Sequence, residues 1–463
     1  MEEQQKTNQN QSMKELAVKG VATLSVQSVL LQGIWFFTSL VLLNSISVFD
    51  YSVLKLVLVA VAFPSALYIA GIDPIILADM GVEREHGRLG ALKSLFRAYA
   101  IFEIISAFVI WTGFYIFISF FKGSFSPPTQ EYLFAASFMI FSRPLQNILI
   151  QFFNLYFQFK RITLMKLYDE GLTLLSLLFF VFYLKQGIYA AILIQVISPF
   201  IAVLLSLPAF FALYRKHLHR VQREPAGFWA RLRAHGKWSI AAAYVSSGSD
   251  ALHLFFIDRF IGREAVALYS LADSLWGHVT SLFPAKSILS AMIPQRARDE
   301  ATARQSLIRG SKYAFLGFTA VGLAATIGGY PFLQTFFPKY VAAFPVFLGL
   351  LLMIPKTAFS SALGPLLRAY KFQKAGFSAA LLSLVLTAVF AYVLYPAFGM
   401  KGVIAEVVLT GSILVYVVYR SFIHKYPSFK IRLREIFSWD QYDSDMMMIL
   451  VKGIWRRAKS FQR

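Results

Sequence analysis

Twelve apolar stretches, each longer than 20 residues, alternate along the chain with polar or charged breaks: 20–43, 51–72, 94–121, 131–158, 164–184, 187–214, 238–258, 264–293, 313–335, 341–367, 376–396 and 399–423. About 20 apolar residues are enough to cross the hydrocarbon core of a bilayer as a helix. In hydrocarbon every backbone N–H and C=O must be paired within the protein, so each stretch predicts a helix. Barrel strands of about ten alternating residues have no counterpart here. The pattern therefore predicts an all-α membrane protein of about twelve transmembrane helices.

Composition strengthens this reading. The chain has 463 residues, 57% of them apolar, only 15% charged, and a mean hydropathy of +0.59. A soluble domain carries about a quarter charged residues and needs that polar surface to coat itself. A soluble enzyme, a disordered chain and a fibrous one are excluded. Cysteine is absent, which removes disulfides, thiolate metal sites and a Cys nucleophile.

The net charge of +21 would suggest nucleic acid in a soluble protein. Here its distribution gives it another meaning. Of 45 Lys and Arg, 35 lie in or beside the even-numbered breaks and the two terminal segments, seven in or beside the odd-numbered breaks (Lys55, Lys122, Lys185, Arg259, Arg263, Lys339, Lys401), and three deep inside spans. Positive charge stays on the cytoplasmic side, so both termini are expected there and no nucleic-acid partner is expected. The N-terminal segment is polar and lacks a signal-peptide cleavage site, which casts the first span as an uncleaved insertion signal. The longest break, 215–237, mixes seven basic residues with Phe228, Trp229 and Leu232, and the tail carries the short apolar run Met446 to Val451 amid Lys and Arg. Both read as basic amphipathic segments on an anionic inner leaflet, or simply as positive-inside flanks.

The chain also reads as a duplication. Gly187-Ile-Tyr-Ala-Ala opens the sixth span and Gly399-Met-Lys-Gly-Val the twelfth, and each helix ends in a Tyr-Arg pair, Tyr214-Arg215 and Tyr419-Arg420. Six spans per half insert in the same sense, giving two six-helix bundles related by a pseudo-two-fold axis along the membrane normal. The expected organisation is a cytoplasmic segment 1–19, a bundle 20–214, a basic linker 215–237, a second bundle 238–423 and a basic amphipathic tail 424–463.

Ionisable groups inside a membrane are costly and mark function by default. Arg143 lies roughly 18 and 25 Å from the two ends of the fourth span, Lys356 sits near the middle of the tenth, and Lys286 lies about 13 Å from the cytoplasmic end of the eighth. Each has a neighbouring proline: Pro144, Pro284 and Pro355. Proline frees a carbonyl one turn back and kinks the helix, which suits a cation facing a wet cavity. The alternative is a structural cation paired with a carbonyl or an acid. The buried acids are Glu103, Asp250, Asp273 and Glu406. Asp250 and His253 share a helical face beside Ser246-Ser247-Gly248-Ser249. These acids are candidates for coupling transport to a proton or cation gradient, or are counter-ions to Arg143, Lys356 or Arg259. Asp169-Glu170, two turns inside the fifth span, is expected at the cytoplasmic surface.

Nucleotide-binding, metalloprotease and serine-hydrolase motifs are absent from the sequence, as is His with metal-ligand spacing, so neither an enzyme nor a cofactor is expected. The stretch Asp250–Ala301, with Asp250, Gly262, Tyr269, Ala272 and Pro294 in order, resembles the multidrug/oligosaccharidyl-lipid/polysaccharide exporter superfamily, nearest its O-antigen and capsule flippases. FFPKYVAAFPVFLGLLLM (336–353) and YPAFGMKGVIAEVV (395–408) carry the same resemblance. Ser52 stands where that family commonly has Gly. The resemblance implies two bundles around a central cavity, rocking between inward- and outward-open states in the cytoplasmic (inner) membrane. The substrate would be a polyprenyl-diphosphate-linked oligosaccharide, with membrane lipids and polysaccharide polymerases as neighbours. A lipid diphosphate cannot cross hydrocarbon without compensating charge, and Arg143, Lys286 and Lys356 are suited to supply it. The other function classes are a multidrug/cation antiporter, whose cationic cargo three buried positive charges would repel, and a non-transporting scaffold.

Overall fold

A computed structural model describes residues 30–120, 127–233, 237–282, 289, 299–370, 372–441 and 443–444. Among them the chain is helical, and each of the twelve apolar stretches holds helix. The elements are α1 (Leu30–Ser45), α2 (Val48–Glu85), α3 (Leu89–Phe120), α4 (Pro127–Ser137), α5 (Met139–Leu155), α6 (Phe159–Ser176), α7 (Gly187–His217) and α8 (Phe228–Arg231). They continue with α9 (Lys237–Phe260), α10 (Arg263–Leu282), α11 (Glu300–Phe336), α12 (Ala343–Leu350), α13 (Ile354–Ala369), α14 (Gln373–Phe398), α15 (Met400–Lys425) and α16 (Leu433–Phe437). Nine helical spans among the described residues are long and apolar enough to cross a membrane.

Two spans are interrupted. The fourth is broken at Phe138 between α4 and α5, and the tenth passes through a 3₁₀ turn, Leu351–Met353, between α12 and α13. Pro355 lies in the first turn of α13, where its missing N–H costs nothing. Pro144 stays inside α5, six residues after the break. The two glycines that mark the duplication hold matching backbone. Gly187 (φ +70°) and Gly399 (φ +55°) both sit in the left-handed region at the entry to α7 and α15, a conformation that costs other residues roughly 1–2 kcal/mol.

The chain divides into two compact units. The first contains Met1–His278, Ala324–Leu352 and Gln373–Leu414. One part of its core is aromatic: Phe96, Tyr99, Phe152, Phe153 and Tyr156 are buried between α3, α5 and α7, with Phe152 and Phe210 rings 4.8 Å apart. In another part, α9 packs along both α2 and α14, with Phe63 stacked on Tyr244. The basic linker is held by protein groups. Phe228 is buried in the aromatic core, and Arg231 pairs with Glu83 at 2.6 Å and Asp79 at 3.5 Å. These bonds, with that of Glu83 foremost, raise the Arg231 guanidinium above its ordinary range. Trp229 remains exposed.

The second unit contains Val279–Leu323, Met353–Phe372 and Val415–Arg463. Leu307, Leu363, Leu366, Phe422 and Phe429 form its core. The segment after α15 is tied to the start of α11. Arg304 pairs with Glu435, and Arg309 with Asp440 at 3.1 Å. Lys312 pairs with the buried Asp443 at 2.6 Å, and Tyr313 donates to the same carboxylate at 2.6 Å. Burial alone would raise the Asp443 carboxyl, but these bonds, the Asp440 N–H and the Lys312 charge hold it well below the usual carboxylate range. Met446–Val451 lies outside the described residues.

Candidate functional site

The first cluster of membrane-embedded polar groups centres on α5. Arg143, in the second turn after the break at Phe138, is exposed and has no ion pair within 4.0 Å among the described residues. Asp169 and Glu170 on α6 lie within its electrostatic reach. Both carboxylates have protein partners. Both are half-buried, Asp169 accepts a 2.8 Å bond from Gln146 Nε2 on α5, and Glu170 is hydrogen-bonded by Trp35 on α1. Below Arg143, α5 carries Asn147, Gln151 and Asn154, all half-buried.

The second cluster surrounds Glu406, buried on α15. Its carboxylate accepts bonds from Thr387 Oγ1 at 2.8 Å, Thr410 Oγ1 at 3.1 Å and Tyr395 O–H at 3.3 Å, and lies 3.0 Å from His253 Nδ1. Tyr395 Oη is also 2.7 Å from His253 Nδ1. A proton on Nδ1 satisfies both oxygens, leaving Nε2, which has no hydrogen-bond partner among the described residues. Ser249 extends the network to Thr387 at 3.3 Å. Buried polar groups persist only when bonded in this way. Asp250 and Asp273 lie on the exposed side of the same region, within electrostatic reach of His253 and of each other; Lys55 on α2 reaches Asp273.

Lys356 belongs to the second unit. It is half-buried in the first turn of α13 and has no hydrogen bond or ion pair among the described residues. Glu103 is fully buried in α3, apart from both clusters in sequence. Lys286 lies outside the described residues.

One relation links Arg143 and Lys356. The glycines that register the duplication are 212 positions apart (399 − 187), and the two cations are 213 apart (356 − 143). The two offsets differ by one position, and each cation lies within two turns of an irregularity in its own span.

Sequence reasoning overlooked Trp35, Lys55, Gln146, Asn147, Gln151, Thr387, Tyr395 and Thr410. The signal was present for the α5 amides, which recur at helical spacing in an apolar stretch. It was absent for Tyr395 and Thr387, which α14 brings to Glu406 only through tertiary packing.

The family model for polysaccharide biosynthesis proteins matches residues 17–298, well over half of the chain. The protein belongs to that family. A multidrug resistance MATE family transporter of the MOP superfamily, in its inward-facing conformation, superposes with a TM-score of 0.67 at 13% identity, over 89% of this chain and 98% of that one. The outward-facing conformation of such a transporter gives 0.63 at 14% over 89% and 96%. A MOP superfamily transporter from Pyrococcus furiosus, described as having a binding pocket of reverse polarity, gives 0.64 at 14% over 89% and 97%. No curated protein sequence matches the chain. The family is therefore that of polysaccharide biosynthesis proteins, and the fold is the multi-pass, two-bundle helical fold that these solved transporters share.

Proposed function

We propose that this transporter moves a polyprenyl-diphosphate-linked oligosaccharide from the cytoplasmic to the outer leaflet of the cytoplasmic membrane, by alternating access, for cell-surface polysaccharide of the O-antigen or capsule type. The observation that carries the reading is the pair Arg143 and Lys356. Both are cations without an ion pair among the described residues, and each lies within two turns of an irregularity in its own span. A diphosphate brings about two negative charges into a medium where charge is prohibitive unless compensated. A guanidinium and an ammonium supply that compensation, and Lys286 adds a third cation. Sugars follow in water and the polyprenyl tail stays in lipid. The halves that rock are 20–214 and 238–423. Asp250, Asp273 and the Glu406–His253–Tyr395 network are the groups on which a proton or cation gradient acts, and Glu103 is a further candidate.

A multidrug/cation antiporter is the second reading, favoured by the exposed carboxylates Asp250 and Asp273. Charge reversal of Arg143, Lys286 and Lys356, read as surface polysaccharide in cells, separates the two. The flippase loses surface polysaccharide in each variant. Full polysaccharide in all three, with altered resistance to cationic drugs, favours the antiporter. Transport in proteoliposomes that ignores both proton and sodium gradients would remove the coupling role from the C-terminal acids.

A further inference from the structure

The last turns of α15 carry a cationic cavity. The helix has 26 residues and is about 39 Å long, against about 30 Å of hydrocarbon, so its basic end stands at the depth of lipid head groups. Tyr416 and Val417 are exposed there, and an exposed tyrosine suits the membrane interface. One turn beyond Tyr416 comes Arg420, and one turn beyond that His424. With Ile423, Pro427 and Lys430 these two line a cavity of about 200 Å³.

Arg420, His424 and Lys430 are exposed, and none of their side chains has a hydrogen bond or ion pair among the described residues. The nearby carboxylates are engaged elsewhere. Glu300 accepts from Ser428 at 2.6 Å, and Glu435 pairs with Arg304. The turn that presents Lys430 is fixed. Phe429 is fully buried, and its carbonyl accepts from Tyr419 O–H at 3.1 Å. Ile431 N–H donates to the same hydroxyl oxygen at 2.8 Å, and the Lys430 carbonyl accepts from Arg304 Nη2 at 3.0 Å. The fold thus holds a guanidinium and an ammonium on one cavity with no acid paired to either. Like charges oppose this arrangement, and a bound anion relieves it.

The lining says what the anion is. A guanidinium matches two phosphate oxygens and an ammonium adds a point charge, while an imidazole N–H donates to a further oxygen. Ile423 and Pro427 give the cavity an apolar wall that a free ion would not use. Tyr416 and Val417 continue from it toward hydrocarbon, as an acyl chain would run. Lys and Arg gather at the cytoplasmic ends of spans, where the leaflet is anionic.

We propose that this cavity binds one anionic phospholipid of the cytoplasmic leaflet, with its phosphate on Arg420 and Lys430 and an acyl chain along Tyr416 and Val417. The site uses none of Arg143, Lys286 and Lys356, so it does not depend on what the transporter carries.

The test titrates full-length protein in detergent with phosphatidylglycerol, phosphatidylcholine or inorganic phosphate and counts bound lipid by native mass spectrometry. A photoreactive phosphatidylglycerol then maps the site by cross-linking. Wild type should retain one phosphatidylglycerol about tenfold or more tighter than phosphatidylcholine, and the cross-link should fall between Tyr416 and Lys430. Arg420→Gln and Lys430→Gln should each weaken that lipid about tenfold. Lys425→Gln removes the same charge from a side chain that lies over the Phe372 and Tyr426 rings, and should leave the lipid bound as in wild type. Equal weakening in all three variants, equal retention of phosphatidylcholine, or cross-links only elsewhere overturns the site. Inorganic phosphate that displaces the lipid at equal concentration makes it a free-phosphate site and overturns the lipid assignment. The wild-type preference and cross-link decide the matter even where a variant does not fold.

Discussion

Glu406 illustrates how one buried acid organises its surroundings. Two threonine hydroxyls, a tyrosine hydroxyl and a histidine ring converge on it. Replacing it with Leu leaves those donors without an acceptor, at about 1–3 kcal/mol for each group stranded. Glu406→Leu should therefore lower the thermal midpoint of the purified protein in detergent far more than Glu406→Gln, which keeps an acceptor oxygen. Equal midpoints would mean the network contributes little. Asp443 makes a prediction about pH. Its carboxyl is held below the usual range, so its stabilising effect is complete at neutral pH and is lost as pH falls below the ordinary carboxylate range and through its own depressed value. Protease cleavage of the segment after α16 should stay slow from neutral pH down to mildly acid pH and rise only in strong acid. Lys312→Glu should release the segment at neutral pH, with a cost of about 3–5 kcal/mol for a broken buried pair, and Lys312→Glu/Asp443→Lys should restore protection.

At the scale of elements, close helix contacts depend on glycine. A side chain at Gly402 would meet the Leu394 carbonyl, and one at Gly349 would meet the Ile404 side chain at 2.6 Å. Gly402→Val should abolish stable expression, because backbone cannot yield, and Gly349→Ala should lower the midpoint, because the branch carbons of Ile404 as well as its end lie within 3.0 Å and the whole side chain must shift. Most of the element order was legible in the sequence. Twelve apolar runs and the alternation of Lys and Arg leave few alternatives, and the glycines of the two half-repeats pointed to turns that the backbone confirms at Gly187 and Gly399. The interruption beside Lys356 was also legible, through Pro355. The break at Phe138 was not, because no proline or glycine stands there. The linker was read as a basic amphipathic segment on the inner leaflet or simply as a positive-inside flank; in the structure Phe228 is buried in the core and Arg231 is paired with Glu83 and Asp79. A basic, aromatic stretch has the same composition whether its partners are lipids or carboxylates elsewhere in the chain. Partners distant in sequence, such as Tyr395 for His253, are invisible until the fold brings them together.

For the whole molecule, the account rests on deep cations that accompany an anionic head group. Charge-assisted bonds of this kind are worth about 1.5–3 kcal/mol each, which is about tenfold to a hundredfold in rate when lost from the transport step. The most direct measurement is the rate at which purified protein in proteoliposomes flips a fluorescent polyprenyl-diphosphate glycan, compared among wild type, Arg143→Glu, Lys356→Glu and the conservative variants Arg143→Lys and Lys356→Arg. The account predicts a loss of about tenfold or more in each reversal and near wild-type rates in both conservative variants. Wild-type rates in the two reversals, with the protein folded and inserted, would contradict it.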